Sequence, residues 1–386
     1  MRQLFAFQRF SPANAAMWIP VLLAVFPIAS PLARAQADGA PQASSAPASS
    51  NPASSKSGSS KSVQQDNAPN AAAAQKPESD QETLKVNVNV VGLFFNVKDK
   101  HGALIPNLTK DDFQISEDGK PQTIKYFAAE SNLPLTLGIL IDSSGSQLRV
   151  LDMEKQVGGA FLKQILTDKD EAYVMDFNID AELVQDYTRD VRRLQDALNK
   201  VKINTGFTTG PIPGAGGGPV PTAGGASRGT VLYDAVYLSA HDMLSKEVGR
   251  KAMILLTDGE DEGSQLKIKD AIESAQKADA IVYVLLCADR GFYGSFQVGY
   301  SGESEMRKLT EATGGRVINV GNKFDKLREA FDQISAELRS QYNLGYTPTN
   351  NVLDGTYRKI EIKSKQNYKI QTRAGYYATP RQPPPQ

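Results

Sequence analysis

The sequence predicts an α/β fold, a doubly wound and mostly parallel sheet with an all-β, sandwich-like part built from the strand-rich segments on its two flanks. Three observations lead there. Between Leu135 and Leu338, short apolar runs alternate with longer segments of helical periodicity. Two of the short runs, Leu135 to Ile141 and Met253 to Leu256, are apolar but for Thr136, the near-continuous pattern of strands covered on both faces. Outside that region, at residues 84 to 130 and 341 to 378, the chain is written in short segments rich in β-branched and aromatic residues.

The elements follow in order. Arg2 and Arg9 precede the apolar stretch Ala15 to Ala29, and Ala33-Arg34-Ala35 or Ala35-Gln36-Ala37 offers a small-residue cleavage site, the pattern of a secretory signal peptide over 1–37. An uncut membrane anchor is the competing reading, but the stretch is short for a span and Pro20 and Pro27 interrupt it. Residues 38–80 are Ala, Ser, Pro, Gln and Asn, too poor in large apolar groups to repay the entropy of ordering, so they read as a disordered linker or wall spacer. From Leu84, Val86, Val88 and Val90 alternate with polar residues and the run continues through Leu93, Phe95 and Val97. Phe113 to Ile115, a turn at Glu117 to Pro121 and a returning strand at Thr123 to Phe127 complete the first flank, 84–130. Two hairpins alone are marginal, so the strands expected at Tyr342 to Tyr346, Tyr357 to Ile362 and Tyr368 to Thr372 either join them in one sandwich or form a second small unit. In the first case the α/β part, 133–340, is an insertion whose ends lie close together. Residues 379–386 read as a tail.

Within the α/β part the expected order is strand Leu135 to Ile141, helix Leu148 to Leu166, hairpin Ala172 to Tyr187, and helices Val191 to Val201 and Val231 to Leu244. Strand Met253 to Leu256, helix Leu266 to Ala278, strand Ile281 to Leu286, helix Glu303 to Thr313, strand Val317 to Val320 and helix Phe324 to Leu338 follow. The connection from Ile203 to Gly229 is far longer than ordinary and rich in Gly and Pro, either a gate or a tolerated insertion. A second long loop, Arg290 to Gly302, carries Phe292, Tyr293, Phe296 and Tyr300. Exposed aromatics there suit a protein interface; packed down, they are core.

Chemistry concentrates at strand ends. Asp142-Ser143-Ser144-Gly145-Ser146 directly follows the first buried run, so D-x-S-x-S presents a carboxylate and two hydroxyls from one tight turn. A hard divalent cation wants about six oxygens, which is what such a turn begins to supply. Met253 to Leu256 ends in Thr257-Asp258-Gly259, a second carboxylate at a strand's carboxyl end, where ligands bind in open α/β sheets. Thr230 precedes an apolar helix and adds a third hydroxyl; Thr208 and Thr209, in the same connection, compete for that role. Taken singly, the serines read equally well as helix N-caps and the aspartates as turn residues.

Together these residues resemble a von Willebrand factor type A (VWA) domain with an intact metal-ion-dependent adhesion site. The resemblance implies a Rossmann-like fold in which Asp142, Ser144, Ser146, Thr230 and Asp258 hold Mg²⁺, or Mn²⁺ or Ca²⁺, and a partner's acidic side chain completes the shell. The segment Asp112 to Gln122, with Glu117-Asp118-Gly119-Lys120-Pro121-Gln122, is also similar to one in a secreted bacterial family of VWA-related proteins. That second resemblance spans roughly residues 84 to 378 and implies a location outside the cytoplasm, secreted or in the periplasm or envelope.

Other functions are disfavoured. The 43 basic and 43 acidic residues balance, and losing Arg2, Arg9 and Arg34 with a signal peptide leaves a net charge of −3, no surplus for nucleic acid. One cysteine, Cys287, forbids an internal disulfide and reads as a buried thiol. A serine nucleophile needs a base, but His101 falls in a turn of the β flank and His241 on a helix. The acidic run Glu260-Asp261-Glu262 suggests two-metal phosphoryl chemistry less than a solvated loop, and neither a P-loop nor a dinucleotide fingerprint is present. The sequence therefore points to a non-catalytic, metal-dependent binding protein. A structural envelope protein whose metal only stabilises the fold, or a metal-dependent hydrolase, are the alternatives.

Overall fold

The computed structural model describes residues 89–129, 133–204, 229–287 and 301–380. The readings made on 1–88, on Thr208 and Thr209, on Phe292, Tyr293, Phe296 and Tyr300 and on 381–386 lie outside them.

The alternating first flank becomes strand β1 (Val91–Lys98), β2 (Phe113–Glu117), β3 (Lys120–Gln122) and β4 (Ile124–Ala129). The β2–β3 turn is tighter than the expected Glu117 to Pro121, because Asp118 and Gly119 alone adopt left-handed φ of 48° and 76°, the geometry of a two-residue hairpin loop. Pro121 thus falls in β3, at a sheet edge where no N–H is required.

The α/β part runs β5 (Leu135–Asp142), α1 (Leu151–Ile165), β6 (Glu171–Phe177), β7 (Ala181–Thr188), α2 (Val191–Lys200) and α3 (Leu232–Leu238). Then come β8 (Arg250–Thr257), α4 (Ile268–Lys277), β9 (Ala280–Leu286), α5 (Gly302–Thr313), β10 (Val317–Asn319) and α6 (Phe324–Arg339). The sheet order is β10-β9-β8-β5-β6-β7. Every pairing is parallel except β6 with β7. Side chains of β5, β8 and β9 alternate between two cores. Ile139, Ile254 and Leu285 meet α1, α2 and α6 on one face, while Leu140, Leu255 and Val284 meet α3, α4 and α5 on the other. From β5 the chain winds one way to β6 and later the other way from β8 to β9, so the topological switch point lies between the carboxyl ends of β5 and β8.

Two helix boundaries depart from expectation. Helix α1 starts at Leu151, because Gly145–Gln147 forms a 3₁₀ turn first. After α3 the helix widens into a π segment, Ser239–Met243, where the Ser239 hydroxyl lies 2.5 Å from that of buried Tyr173.

The second flank gives β11 (Tyr342–Tyr346), β12 (Tyr357–Ser364), β13 (Lys369–Thr372) and the short β14 (Gly375–Tyr377). Strands from both flanks interleave in two four-stranded sheets, β13-β1-β11-β4 and β14-β12-β2-β3. Leu93, Phe95, Phe113, Ile115, Leu344 and Ile362 fill one core between them. Since β4 and β11 are hydrogen-bonded neighbours, the chain leaves and re-enters this sandwich at one place.

Candidate metal centre

Strand β5 is buried along its whole length and ends at Asp142, which is fully buried. Both carboxylate oxygens of Asp142 are engaged. Oδ1 accepts the Ser144 N–H at 2.9 Å, and Oδ2 accepts the Thr257 hydroxyl at 2.7 Å. The Ser144 and Ser146 hydroxyls lie 3.0 Å apart. Neither serves as a helix cap: Ser144 makes no capping bond with its side chain, and α1 is entered through Val150. The turn thus holds two hydroxyls beside a carboxylate without spending them on the helix.

Asp258 follows β8 across the switch point and is buried, with Oδ1 accepting the Glu260 N–H at 3.1 Å. Burial first, and the Asp258 charge second, push the Asp142 carboxyl up to about 7. Two carboxylates thus lie buried within reach of each other's charge.

Thr230 is held through its backbone. Its carbonyl accepts the Glu262 and Gly263 N–H groups, each at 3.1 Å, and the next residue, Val231, donates to the Asn178 carbonyl at 2.7 Å. Asn178 in turn donates its side-chain amide to the Ser143 hydroxyl at 2.9 Å. The structure therefore brings Asp142, Ser144 and Ser146 together directly, sets Asp258 within electrostatic reach of Asp142, and ties the Thr230 backbone to the loops on either side.

The acidic run proves to be a clasp. Glu260 accepts the Ser301 and Gly302 N–H groups at the start of α5 at 2.7 and 2.8 Å, and Asp261 accepts the Tyr233 N–H of α3 at 3.1 Å. Asp234 reciprocates from α3, accepting the Gln265 and Leu266 N–H groups at 3.0 and 2.9 Å.

Three residues that sequence reasoning passed over matter here. Thr257 was legible only as the neighbour of Asp258, and Asn178 only as a hairpin residue. Glu154 on α1 is fully buried, and neither of its carboxyl oxygens makes a hydrogen bond of ordinary geometry with a described residue. Burial pushes it up to about 8; the Cys287 thiol acts against that rise, while the Asp142 and Asp258 charges add to it. Cys287 itself is buried and its thiol is pushed well up by burial.

The donor set suits a hard cation. Two carboxylates and the serine and threonine hydroxyls are all oxygen, and the Oε1 of Gln147, one residue beyond the turn, is buried with no hydrogen-bond partner among the described residues. Among the described residues, no three His, Cys, Asp or Glu side chains stand ready to hold a metal by themselves. Neither histidine serves this crevice: His101 lies in the exposed turn after β1, and His241 is exposed, stacked on Tyr237 and bonded to Asp242 at 2.8 Å.

Solved structures share the outline. The "conserved hypothetical protein BatB" of Bacteroides thetaiotaomicron is 18% identical, with 53% of this chain and all of that chain covered and a TM-score of 0.38. A von Willebrand factor type A protein of Catenulispora acidiphila is 14% identical over 69% of this chain and 73% of that one, with a TM-score of 0.39. Proximal thread matrix protein 1 of the mussel byssus, solved with a zinc-occupied adhesion-site motif, is 14% identical over 56% of this chain and 48% of that one, with a TM-score of 0.40. No protein-family model and no curated protein matches the chain.

Proposed function

We propose that this is a non-catalytic, metal-dependent protein-binding protein acting outside the cytoplasm. In this reading Asp142, Ser144, Ser146, Thr230 and Asp258 hold Mg²⁺, Mn²⁺ or Ca²⁺ and a partner supplies an acidic side chain. The observation that carries it is the paired serine hydroxyls, 3.0 Å apart and not used as caps, beside a buried Asp142 that faces a second carboxylate across the switch point. With few direct negative ligands the bound ion would stay electrophilic, which is what draws in a carboxylate. The location outside the cytoplasm rests on the signal-like N-terminus. No described helix is long and apolar enough to cross a membrane.

The test is calorimetric titration of Mg²⁺, Mn²⁺ and Ca²⁺ into chelator-treated protein, with Asp142→Ala alongside. One-site saturation lost in the variant is expected; no saturable binding of any of the three ions would overturn the reading. If chelation lowers the melting temperature yet leaves partner capture intact, the metal is structural.

A further inference from the structure

Thr257 carries no chemistry in the metal reading above, yet its side chain occupies a demanding position. It is fully buried at the last residue of β8, and its hydroxyl has two neighbours. The Gly259 N–H donates to Oγ1 at 3.0 Å, and Oγ1 donates to Asp142 Oδ2 at 2.7 Å. The Gly259 amide can only donate, and Asp142 can only accept once it is ionised, as a metal ligand must be, so in that state the hydroxyl proton points to Asp142.

The opposite oxygen of Asp142 is fixed independently by the Ser144 N–H at 2.9 Å. A carboxylate pinned at both oxygens, from its own turn and from the neighbouring strand, has neither a free rotamer nor a free ring-flip-like exchange of its oxygens. It still keeps a second lone pair on each oxygen for an ion or its water. The pin also crosses the switch point: Thr257 and Asp258 are adjacent, so one strand end delivers the second carboxylate and orients the first. Gly259, which supplies the N–H, is set by a left-handed φ of 85° and packs against Gly302 and Met306 of α5.

We infer that Thr257 is a positioning residue for the metal site, orienting Asp142 through its hydroxyl and thereby setting cation affinity without touching the ion. This rests on the proposed metal reading. Groups that orient metal ligands in this way typically cost about 10- to 100-fold in affinity when removed.

The experiment compares Mg²⁺ and Mn²⁺ affinity in full-length wild type, Thr257→Val and Thr257→Ser, with the melting temperature of each chelated form. Valine keeps the shape of threonine and loses only the oxygen. We expect Thr257→Val to lose at least about 10-fold in affinity, Thr257→Ser to stay within about 3-fold of wild type, and Asp142→Ala to lose binding altogether. Equal affinity in Thr257→Val and wild type overturns the inference, as does an equal loss in Thr257→Ser, which would make the methyl group the cause. Absence of binding in wild type sinks the metal reading instead, so the two failures are distinct. If Thr257→Val does not fold, the wild-type Thr257 hydroxyl proton decides by NMR: slow exchange and a scalar coupling to the Asp142 carboxylate carbon, both kept on adding Mg²⁺, support the role. A rapidly exchanging hydroxyl overturns it.

Discussion

Glu154 shows what a single buried side chain imposes. Its carboxyl sits at about 8 in the folded chain against an ordinary 4.5, so the folded state binds that proton more tightly than the unfolded state does. Its contribution is therefore fully present below about pH 4.5 and is lost as pH rises toward about 8, by up to about 1.4 kcal/mol per pH unit. Glu154→Gln removes the dependence: in chelator, the melting temperature of wild type should fall from pH 5 to pH 8 more steeply than that of the variant. At pH 8 the variant should melt at least about 5 °C higher. Parallel curves would show that Glu154 finds a partner or solvent. The contrast with Asp142 explains what was readable at this scale. Asp142, Ser144 and Ser146 lie within five residues and betray one another by spacing. Thr257 meets Asp142 across 115 positions, and Glu154 is an unremarked polar residue in a helical run until the fold covers it.

Among elements, the alternation of strand and helix was legible because burial on both faces demands nearly continuous apolar strands, as in β5, where Thr136 alone interrupts Leu135 to Ile141. Short elements escaped: β14 and β3 hold three residues each, fewer than the roughly four or more over which an alternating pattern can be read. The meeting of the α3 entrance with the loop after β8 also left no trace in sequence, because it depends on backbone proximity at two glycines. A Cβ on Gly263 would stand 2.1 Å from the Gly229 carbonyl oxygen, and one on Gly229 would stand 2.1 Å from the Glu262 Cβ. Those contacts fix Thr230, the residue after Gly229. Gly263→Ala should push the two segments apart, costing about 1–3 kcal/mol and weakening Mg²⁺ binding by about 10-fold or more. Calorimetry and thermal melts of the same sample measure both, and an unchanged metal affinity would remove Thr230 from the ligand set.

Over the whole molecule, the incomplete hairpins at each end of the sequence foretold a shared sandwich, but the joint between sandwich and α/β part is built from buried ions that no local pattern announces. Arg250, at the start of β8, donates to the Leu133 carbonyl at 3.1 and 2.6 Å and to the Leu338 carbonyl, gripping both crossings of the chain. Glu337 on α6 accepts Lys98 of β1 and Arg316 at 2.8 Å each, and the Gln371 amide of β13 at 3.2 Å. The partners are unequally served. Burial raises Glu337, but Arg316 and Lys98 together more than offset it and hold it below its ordinary value. Lys98 has one carboxylate, and burial leaves its ammonium below the usual range. Removing the shared anion is therefore the damaging change. Glu337→Ala should cost about 3–5 kcal/mol, because Lys98 and Arg316 stay behind without it, whereas Lys98→Met leaves Glu337 its arginine and should cost less. Since the depressed carboxyl stabilises above its unfolded value of 4.5 and loses that contribution as pH falls through its folded one, the gap between wild type and Glu337→Ala should narrow below about pH 4. Urea titrations at pH 7 and pH 3.5 measure it; a gap under about 1 kcal/mol at pH 7 would mean that water, not the sandwich, serves these charges.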